Sequence, residues 1–283
     1  MLKNIIILLL FSITTSLLSQ KPAYKIYNSH GKNVSYEKMV KQLSKSDIIL
    51  FGEIHDNPIA QWLEIEVTTD LHKKRNLILG AEMIETDNQN ELNQYLDNTI
   101  SYDEFDSRAR LWRNHKTAYA LLVDYARENQ IPFIATNIPR RYAKMVYKGG
   151  FEALDTVSTS EKEWIAPLPV PFDAELATYQ NILDMMGEHG TPDLVKAQAI
   201  KDATMAHFIL KNYVTDQLFI HYNGAYHSDY YEGILWYLKK ARADLNYATI
   251  STKSQVDINK LLKENKNVAD FIICVDSDMT KTY

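Results

Sequence analysis

Two short segments, far apart in the chain, place a histidine three residues after a glycine and directly behind an apolar run. Gly52-Glu53-Ile54-His55 follows the run Asp47–Phe51, and Gly224-Ala225-Tyr226-His227 follows the run Leu218–Tyr222. If both runs are parallel strands, both histidines lie at the carboxyl edge of a sheet, where α/β proteins bind ligands. We expect each glycine to let the backbone turn sharply off its strand.

Two carboxylates accompany these histidines. Glu82 ends a third apolar run, Leu77–Met83, and Glu53 belongs to the first glycine–histidine segment. Two His and two Glu at strand ends form a candidate site for a metal ion, a haem or a general base. The alternative is structural, because a buried carboxylate is costly unless it is paired, for example with Arg140 or Arg141. The histidines would then be ordinary loop residues.

Other polar residues follow the same pattern. Tyr226 directly precedes the second histidine, and a tyrosine phenolate can ligate haem iron. Asn137 follows another apolar run, and Arg140 falls in the next helical turn, where a guanidinium can hold a carboxylate, a phosphate or a haem propionate. A solvated helix start is the alternative for that arginine. Gln198 and Asp202 are four residues apart on a predicted helix and would share a face that supports the site.

Six strands are predicted, and most of them are short, nearly continuous apolar runs of the kind that is buried on both faces of a parallel sheet. These strands are Asp47–Phe51, Leu77–Met83, Pro132–Thr136, Gln217–Tyr222, Tyr247–Ser251 and Asp270–Val275. Between them, helical periodicity predicts the segments Pro58–Lys74, Asn88–Leu96, Tyr102–Trp112, Tyr119–Glu128, Arg140–Tyr147, Ala174–Glu188 and Asp193–Tyr213. The alternation predicts an α/β fold with a mainly parallel sheet flanked by helices. A helical lobe, inserted at about 152–213, would lie over the C-terminal strand ends.

The amino terminus has the pattern of a secretory signal peptide. A short basic start, an apolar core and a small-residue exit occupy residues 1–20, so 21–283 would form the mature α/β domain. We therefore expect export to the periplasm, the cell surface or the medium, with no membrane span after cleavage. The single cysteine, Cys274, lies far from the cleavage region, which excludes a lipoprotein anchored through cysteine.

Composition and missing motifs narrow the function. The net charge of −5 and the pI near 5.9 argue against a nucleic-acid partner. The chain lacks the G-x-S-x-G, H-E-x-x-H, Walker and dinucleotide-binding glycine motifs. These absences weaken serine hydrolase, classical zinc protease and nucleotide-binding interpretations.

Taken in order, the motifs resemble the ChaN-like haem-binding family of the Tiki superfamily, from about Ser46 to the C-terminus. The residues that carry the resemblance are Gly52–Asn57, Gly80–Met83, Asn88-Gln89, Tyr119–Asn129, Thr136–Arg140, Gln198 with Asp202 and Met205-Ala206, and Gly224–His227. The resemblance implies an α/β fold with a helical lobe, export, and haem binding linked to iron uptake. Because the family holds haems as a stacked pair between subunits, it also implies a possible homodimer.

The resemblance assigns roles to particular residues. The expected ligand-binding set comprises His55, Asn137, Arg140, Tyr226 and His227. Other Tiki relatives are metal-dependent proteases or esterase-type hydrolases, which leaves a hydrolase as the alternative function. Its catalytic set would be Glu53, His55, Glu82 and His227, with Mn, Co or Zn held by His55, Glu82 and His227. One departure is that relatives usually read G-N-G-H in the second motif, whereas Tyr226 stands here directly before the histidine.

Overall fold

Seven strands form one mixed sheet that is parallel except at one edge. The computed structural model describes residues 22–282, and its strands are β1 (Tyr24–Asn28), β2 (Ile48–Glu53), β3 (Leu77–Glu85), β4 (Phe133–Asn137), β5 (Leu218–Gly224), β6 (Tyr247–Gln255) and β7 (Phe271–Asp276). Their order in the sheet is β1-β7-β6-β2-β5-β3-β4. Only β1 is antiparallel, pairing with β7. The predicted α/β class is confirmed.

Helices connect the strands and cover both faces of the sheet. They are α1 (Tyr36–Leu43), α2 (Pro58–His72), α3 (Gln89–Leu96), α4 (Tyr102–Arg108), α5 (His115–Ala118), α6 (Ala120–Glu128), α7 (Arg140–Gly149), α8 (Thr159–Lys162), α9 (Ala177–Met186), α10 (Pro192–Asn212) and α11 (Ile234–Ala241). Short 3₁₀ turns join several of them. Within residues 22–282, no helix is both long and apolar enough to cross a membrane.

Strand β2 illustrates how the sequence builds two cores. Successive side chains of a strand point to opposite faces. Ile49 and Phe51 therefore pack in one core with α2 and α6, whereas Ile48 and Leu50 pack in the other with α10 and α11. A strand buried on both faces is apolar at most positions, which explains the continuous run Ile48–Phe51.

The strand order creates a crevice at the carboxyl ends of three neighbouring strands. After β4, the chain returns to insert β5 between β2 and β3 and then continues through β6 and β7 on the other side. Such a reversal of strand order is the position where open α/β sheets bind ligands. The carboxyl ends of β2, β5 and β3 carry the two glycine–histidine segments and Glu82.

Some elements were not predicted from the sequence, among them strand β1 and the helices α1 and α11. Strand β1 gives a weak signal because it is short and only partly buried at the sheet edge. The helix predicted at 102–112 ends at Arg108, since Ala109 takes an extended backbone (φ −84°, ψ 152°). Residues 109–114 therefore form a loop that carries Trp112. The predicted signal peptide, 1–20, lies outside the described residues.

The glycines of the two motifs are required for space and not for a sharp turn. Both lie within strands, and neither has a positive φ angle. A Cβ atom on Gly52 would lie 2.9 Å from the carbonyl oxygen of Ile250 and 3.0 Å from Cα of Ala225. A Cβ atom on Gly224 would lie 2.7 Å from Nε2 of His55. The predicted conformational reason was wrong, and close approach of neighbouring groups replaces it.

We therefore expect Gly52→Ala to lower the free energy of unfolding by about 1–3 kcal/mol, because backbone atoms of the sheet and the β5 turn must move. Urea unfolding measures this change. Gly149→Ala is the control, since its Cβ would meet only Ala153 at an ordinary 3.6 Å. An unchanged urea midpoint for Gly52→Ala would contradict the close-packing explanation.

Candidate functional site

The crevice brings together four polar residues from separate parts of the chain. Nε2 of His227 lies 3.1 Å from Oε1 of Glu82, and the Gly224 N–H donates to the other oxygen of Glu82 at 2.8 Å. His55 approaches the same glycine from β2. Glu53 lies beside His55, so the four residues predicted from the two histidine motifs and the Glu82 strand end form one cluster.

His55 is oriented by a buried carboxylate. Its Nδ1 lies 2.9 Å from Oε1 of Glu53, which also accepts a hydrogen bond from the Tyr119 hydroxyl at 2.8 Å. Because a carboxylate only accepts, the proton of this ring lies on Nδ1, which leaves Nε2 on the Glu82 side. Burial opposes a charge on this ring, but the hydrogen bond that Nδ1 donates to Glu53 and the nearby Glu82 raise the pKa of His55.

His227 is bound by carboxylates on both ring nitrogens. Nδ1 lies 2.5 Å from Oδ1 of Asp202, opposite the contact of Nε2 with Glu82. Burial opposes the charged form, but the two carboxylates outweigh it and raise the pKa of His227 to about 9. His227 is therefore an imidazolium at neutral pH.

Helix α10 supplies the groups that support His227. Asp202 is fully buried and accepts a hydrogen bond from the Tyr179 hydroxyl at 3.0 Å. The amide nitrogen of Gln198, one turn earlier, lies 3.0 Å from Nδ1 of His227. The face shared by Gln198 and Asp202 thus meets the strand ends, as one of the two sequence interpretations required.

The two carboxylates that contact His227 have pKa values shifted in opposite directions. Burial would raise the pKa of Glu82, but the His227 imidazolium and His55 outweigh it and hold the Glu82 pKa well below its usual range. Burial prevails at Asp202, whose pKa is raised in spite of the imidazolium. Glu82 is therefore the firmly ionised partner of His227.

Asn137 and Arg140 lie at the rim of the crevice, where they line one space together with Glu82, and Tyr226 lies outside the buried cluster. Asn137 donates to the backbone carbonyl of Glu82 at 3.0 Å, and its buried Oδ1 has no hydrogen-bond partner among the described residues. Arg140 is exposed in the first turn of α7. Tyr226 is 52% exposed, and its hydroxyl lies 3.4 Å from the sulfur of Met185.

A cavity of about 1110 Å³ lies beside this rim. Trp112 forms part of its wall, and the Trp112 ring meets the His55 ring edge-on with 4.9 Å between centroids. The cavity is lined by Glu85, Arg110, Leu111, Trp112, Arg113, Asn114, Thr117, Arg140, Arg141 and Lys144. Of the predicted site residues, only Arg140 lines it. We call this space the basic cavity.

Several residues of the site were given no role by the sequence analysis. Trp112 fell inside a predicted helix, and Arg113 and Lys144 resemble ordinary surface cations in the sequence. Tyr119 and Tyr179 reach the site from α6 and α9, with no local spacing that relates them to the histidines. Only the tertiary structure brings these side chains to the crevice.

The divalent-metal alternative has no geometric support. Over residues 22–282, no three His, Cys, Asp or Glu side chains are arranged to hold a metal ion. Both nitrogens of His227 already face carboxylates, which leaves no lone pair for a metal in this geometry. His55 keeps Nε2 away from Glu53, so it has one nitrogen that can act as a ligand or a base.

Comparison with known protein families assigns this chain to one of them. The family model described as haem-binding uptake, Tiki superfamily, ChaN matches residues 39–238. The chain belongs to this ChaN-like haem-binding uptake family.

Individual solved structures resemble this chain in fold at low sequence identity. A solved structure of cofacial haem binding to ChaN of Campylobacter jejuni has a TM-score of 0.67 and 18% identity, covering 90% of this chain and 98% of that one. An erythromycin esterase, EreC, has a TM-score of 0.54 and 9% identity, with 93% and 99% covered. These two likenesses show the shared fold.

A curated plant protein also matches in sequence. Protein RETICULATA-RELATED 5, chloroplastic, of Arabidopsis thaliana is 25% identical over 193 residues, which are 62% of this chain and 26% of that protein. The chain therefore spans about a quarter of the length of this relative.

The raised pKa of His227 predicts how stability depends on pH. The charged form is favoured by folding, so its contribution is complete below the unfolded pKa of about 6.5 and is lost as the pH rises through about 9. We expect the free energy of unfolding of wild type to fall by on the order of 1–3 kcal/mol between pH 6.5 and 9.5, and we expect His227→Gln to remove this fall.

Urea unfolding across this pH range measures the difference. The exposed His30 provides the control, since His30→Gln should keep the wild-type pH dependence. A pH dependence in His227→Gln equal to that of wild type would show that His227 is not held as an imidazolium.

Proposed function

We propose that the chain is an exported haem-binding protein that serves haem or iron uptake. The observation that carries this proposal is the basic cavity with its Trp112 wall, which adjoins His55 at the strand-order reversal. Membership of the ChaN-like family supports the same ligand class. Export rests on the signal-peptide pattern of residues 1–20.

The residues around the cavity suit a haem. Its volume of about 1110 Å³ lies at the upper end of the roughly 300–1,000 Å³ of small-molecule sites. Arginine and lysine side chains on its wall complement propionates, as expected for Arg140. Trp112 offers an aromatic surface for a flat ring. Size, charge and shape therefore agree with one ligand.

Two side chains, those of His55 and Tyr226, could hold the iron of a bound haem. The haem would supply an iron that accepts an imidazole or a phenolate as a ligand. Glu53 fixes the ring of His55 and leaves Nε2 available, as carboxylates do for many metal-binding histidines. Tyr226 has an exposed hydroxyl whose only described contact is the weak one with Met185. Because its nitrogens are occupied, His227 would act by holding Glu82 and the turn.

A homodimer forms part of the proposal. The likeness to ChaN of Campylobacter jejuni, which binds haem cofacially, suggests that two copies meet around their haems. Large apolar side chains are exposed near Tyr226, namely those of Met185 and Met186. Such side chains are suited to an interface that haem completes.

Haemin titration of the mature protein, followed by the Soret band, tests this function. We expect a saturating, shifted band, and we expect Tyr226→Phe or His55→Gln to change the band position and weaken binding at least about tenfold. Tyr230→Phe is the control, because Tyr230 is a neighbouring exposed tyrosine outside the proposed ligand set. Binding that never saturates would exclude the proposed function.

One observation favours a second function, esterase-type hydrolysis. The buried carboxylates of Glu53 and Glu82 flank the partly exposed His55, whose Nε2 could take a proton from water. In the metal-dependent version, Mn, Co or Zn would bind His55, Glu82 and His227. This version requires His227 to give up one of its carboxylate partners.

Ester hydrolysis and metal content separate the two functions. For a hydrolase, p-nitrophenyl acetate should be turned over with kcat/KM reduced at least about 100-fold by His55→Asn. A metal-dependent enzyme would also retain a stoichiometric ion through purification. For the haem-binding function we expect turnover no faster than in the His55→Asn variant.

A further inference from the structure

The walls of the basic cavity concentrate positive charge in an acidic chain. Five cationic side chains and one carboxylate line it, although the whole chain carries a net charge of −5. The cations are Arg110, Arg113, Arg140, Arg141 and Lys144. Like charges at close range repel one another, so a bound anion would stabilise such a wall.

Internal carboxylates compensate only part of this charge. Arg110 pairs with Glu85 at 3.1 Å and also with Asp87, and Arg141 pairs with Asp87 at 2.6 Å. These contacts hold the two guanidinium groups against the carboxyl end of β3. In the described part of the chain, by contrast, no carboxylate lies within ion-pair distance of the three exposed cations Arg113, Arg140 and Lys144. These three side chains are free to bind an external anion.

The start of helix α7 adds to the positive electrostatic potential of the cavity. Its N-cap residue is Pro139, and no side chain caps this ten-residue helix. The first N–H groups of a helix carry a partial positive charge and have no partner within the helix. The first turn supplies Arg140 and Arg141 to the cavity wall, so the helix terminus and the guanidinium groups face one space.

The cavity also has an apolar side that leads to the crevice. Leu111 and Trp112 line it, and Trp112 lies edge-on against His55. A ligand that fills the space would therefore place a flat apolar body against the tryptophan and an anionic edge among the cations. Arginine favours carboxylates in this role because its planar fork donates two parallel hydrogen bonds.

We propose that the basic cavity selects its ligand by carboxylates and not by iron. The ligand class is a flat tetrapyrrole that bears two carboxylates, with or without a bound metal, and this inference rests on the proposed haem-binding function. Arg113, Arg140 and Lys144 bind the carboxylate oxygens. Arg110 and Arg141, held by Glu85 and Asp87, keep the wall in position.

Three probes test the selection by titration of the full mature protein in one detergent solution. These are haemin, metal-free protoporphyrin IX and its dimethyl ester, in which the carboxylates are blocked. We expect the metal-free acid to bind within about tenfold of haemin and the diester to bind at least about 100-fold more weakly, as the loss of two charge-assisted contacts requires. Equal affinity for acid and diester would overturn the inference.

Variants locate the carboxylate contacts. Arg113→Gln, Arg140→Gln and Lys144→Gln should each weaken protoporphyrin IX about tenfold and leave the diester unchanged. Arg108→Gln is the matched control, since Arg108 is an exposed arginine that pairs with Glu104 and does not line the cavity. Unchanged affinity for protoporphyrin IX in the triple variant would assign the contacts elsewhere and overturn the inference.

The two proposals fail in different ways. Haemin that saturates in wild type and binds the triple variant equally well retains the haem-binding function and excludes carboxylate selection. Haemin that never saturates excludes the haem-binding function. If protoporphyrin IX then still binds more tightly than its diester, carboxylate selection stands for the metal-free ring.

Discussion

The buried carboxylate of Glu82 is the constraint on which the rest of the site depends. It lies in the interior strand β3, 5% exposed, where an unpaired charge would be strongly destabilising. Its two oxygens are satisfied by Nε2 of His227 and the N–H of Gly224, both from the end of β5. Strand β5 must therefore lie next to β3. The reversed strand order and the charge balance of the site support each other, although buried ion pairs add little net stability.

The sequence predicted most of the architecture for a simple reason. A parallel strand covered on both faces is mostly apolar, so most of the strands from β2 to β7 are visible as nearly continuous apolar runs, although β6 also contains several Thr and Ser residues. Strand β1 lacks this signal because it is a short edge strand with partly exposed residues. The loop at 109–114 was also missed, since its amino acids are compatible with a helix and only its packing decides otherwise.

Only part of the site could be predicted from the sequence. Residues that directly follow strands, such as His55 and His227, could be found because strand ends converge at one edge. Groups that arrive from other helices could not. Tyr119 and Tyr179 make essential hydrogen bonds, but their positions depend on how α6 and α9 pack. The basic cavity likewise joins a loop after α4 to the first turns of α7.

The centre and the rim of the crevice have different physical characters. At the centre, Asp202, His227 and Glu82 satisfy one another, so each has little capacity left for a ligand. At the rim, His55 keeps one ring nitrogen, and within residues 22–282 the cations Arg113, Arg140 and Lys144 have no carboxylate at ion-pair distance. A charge network whose members satisfy one another fixes the geometry of the site, whereas polar groups without an internal partner are available to bind a ligand. In this chain the two parts can therefore change independently, because the buried network holds the strands whereas the rim meets the ligand.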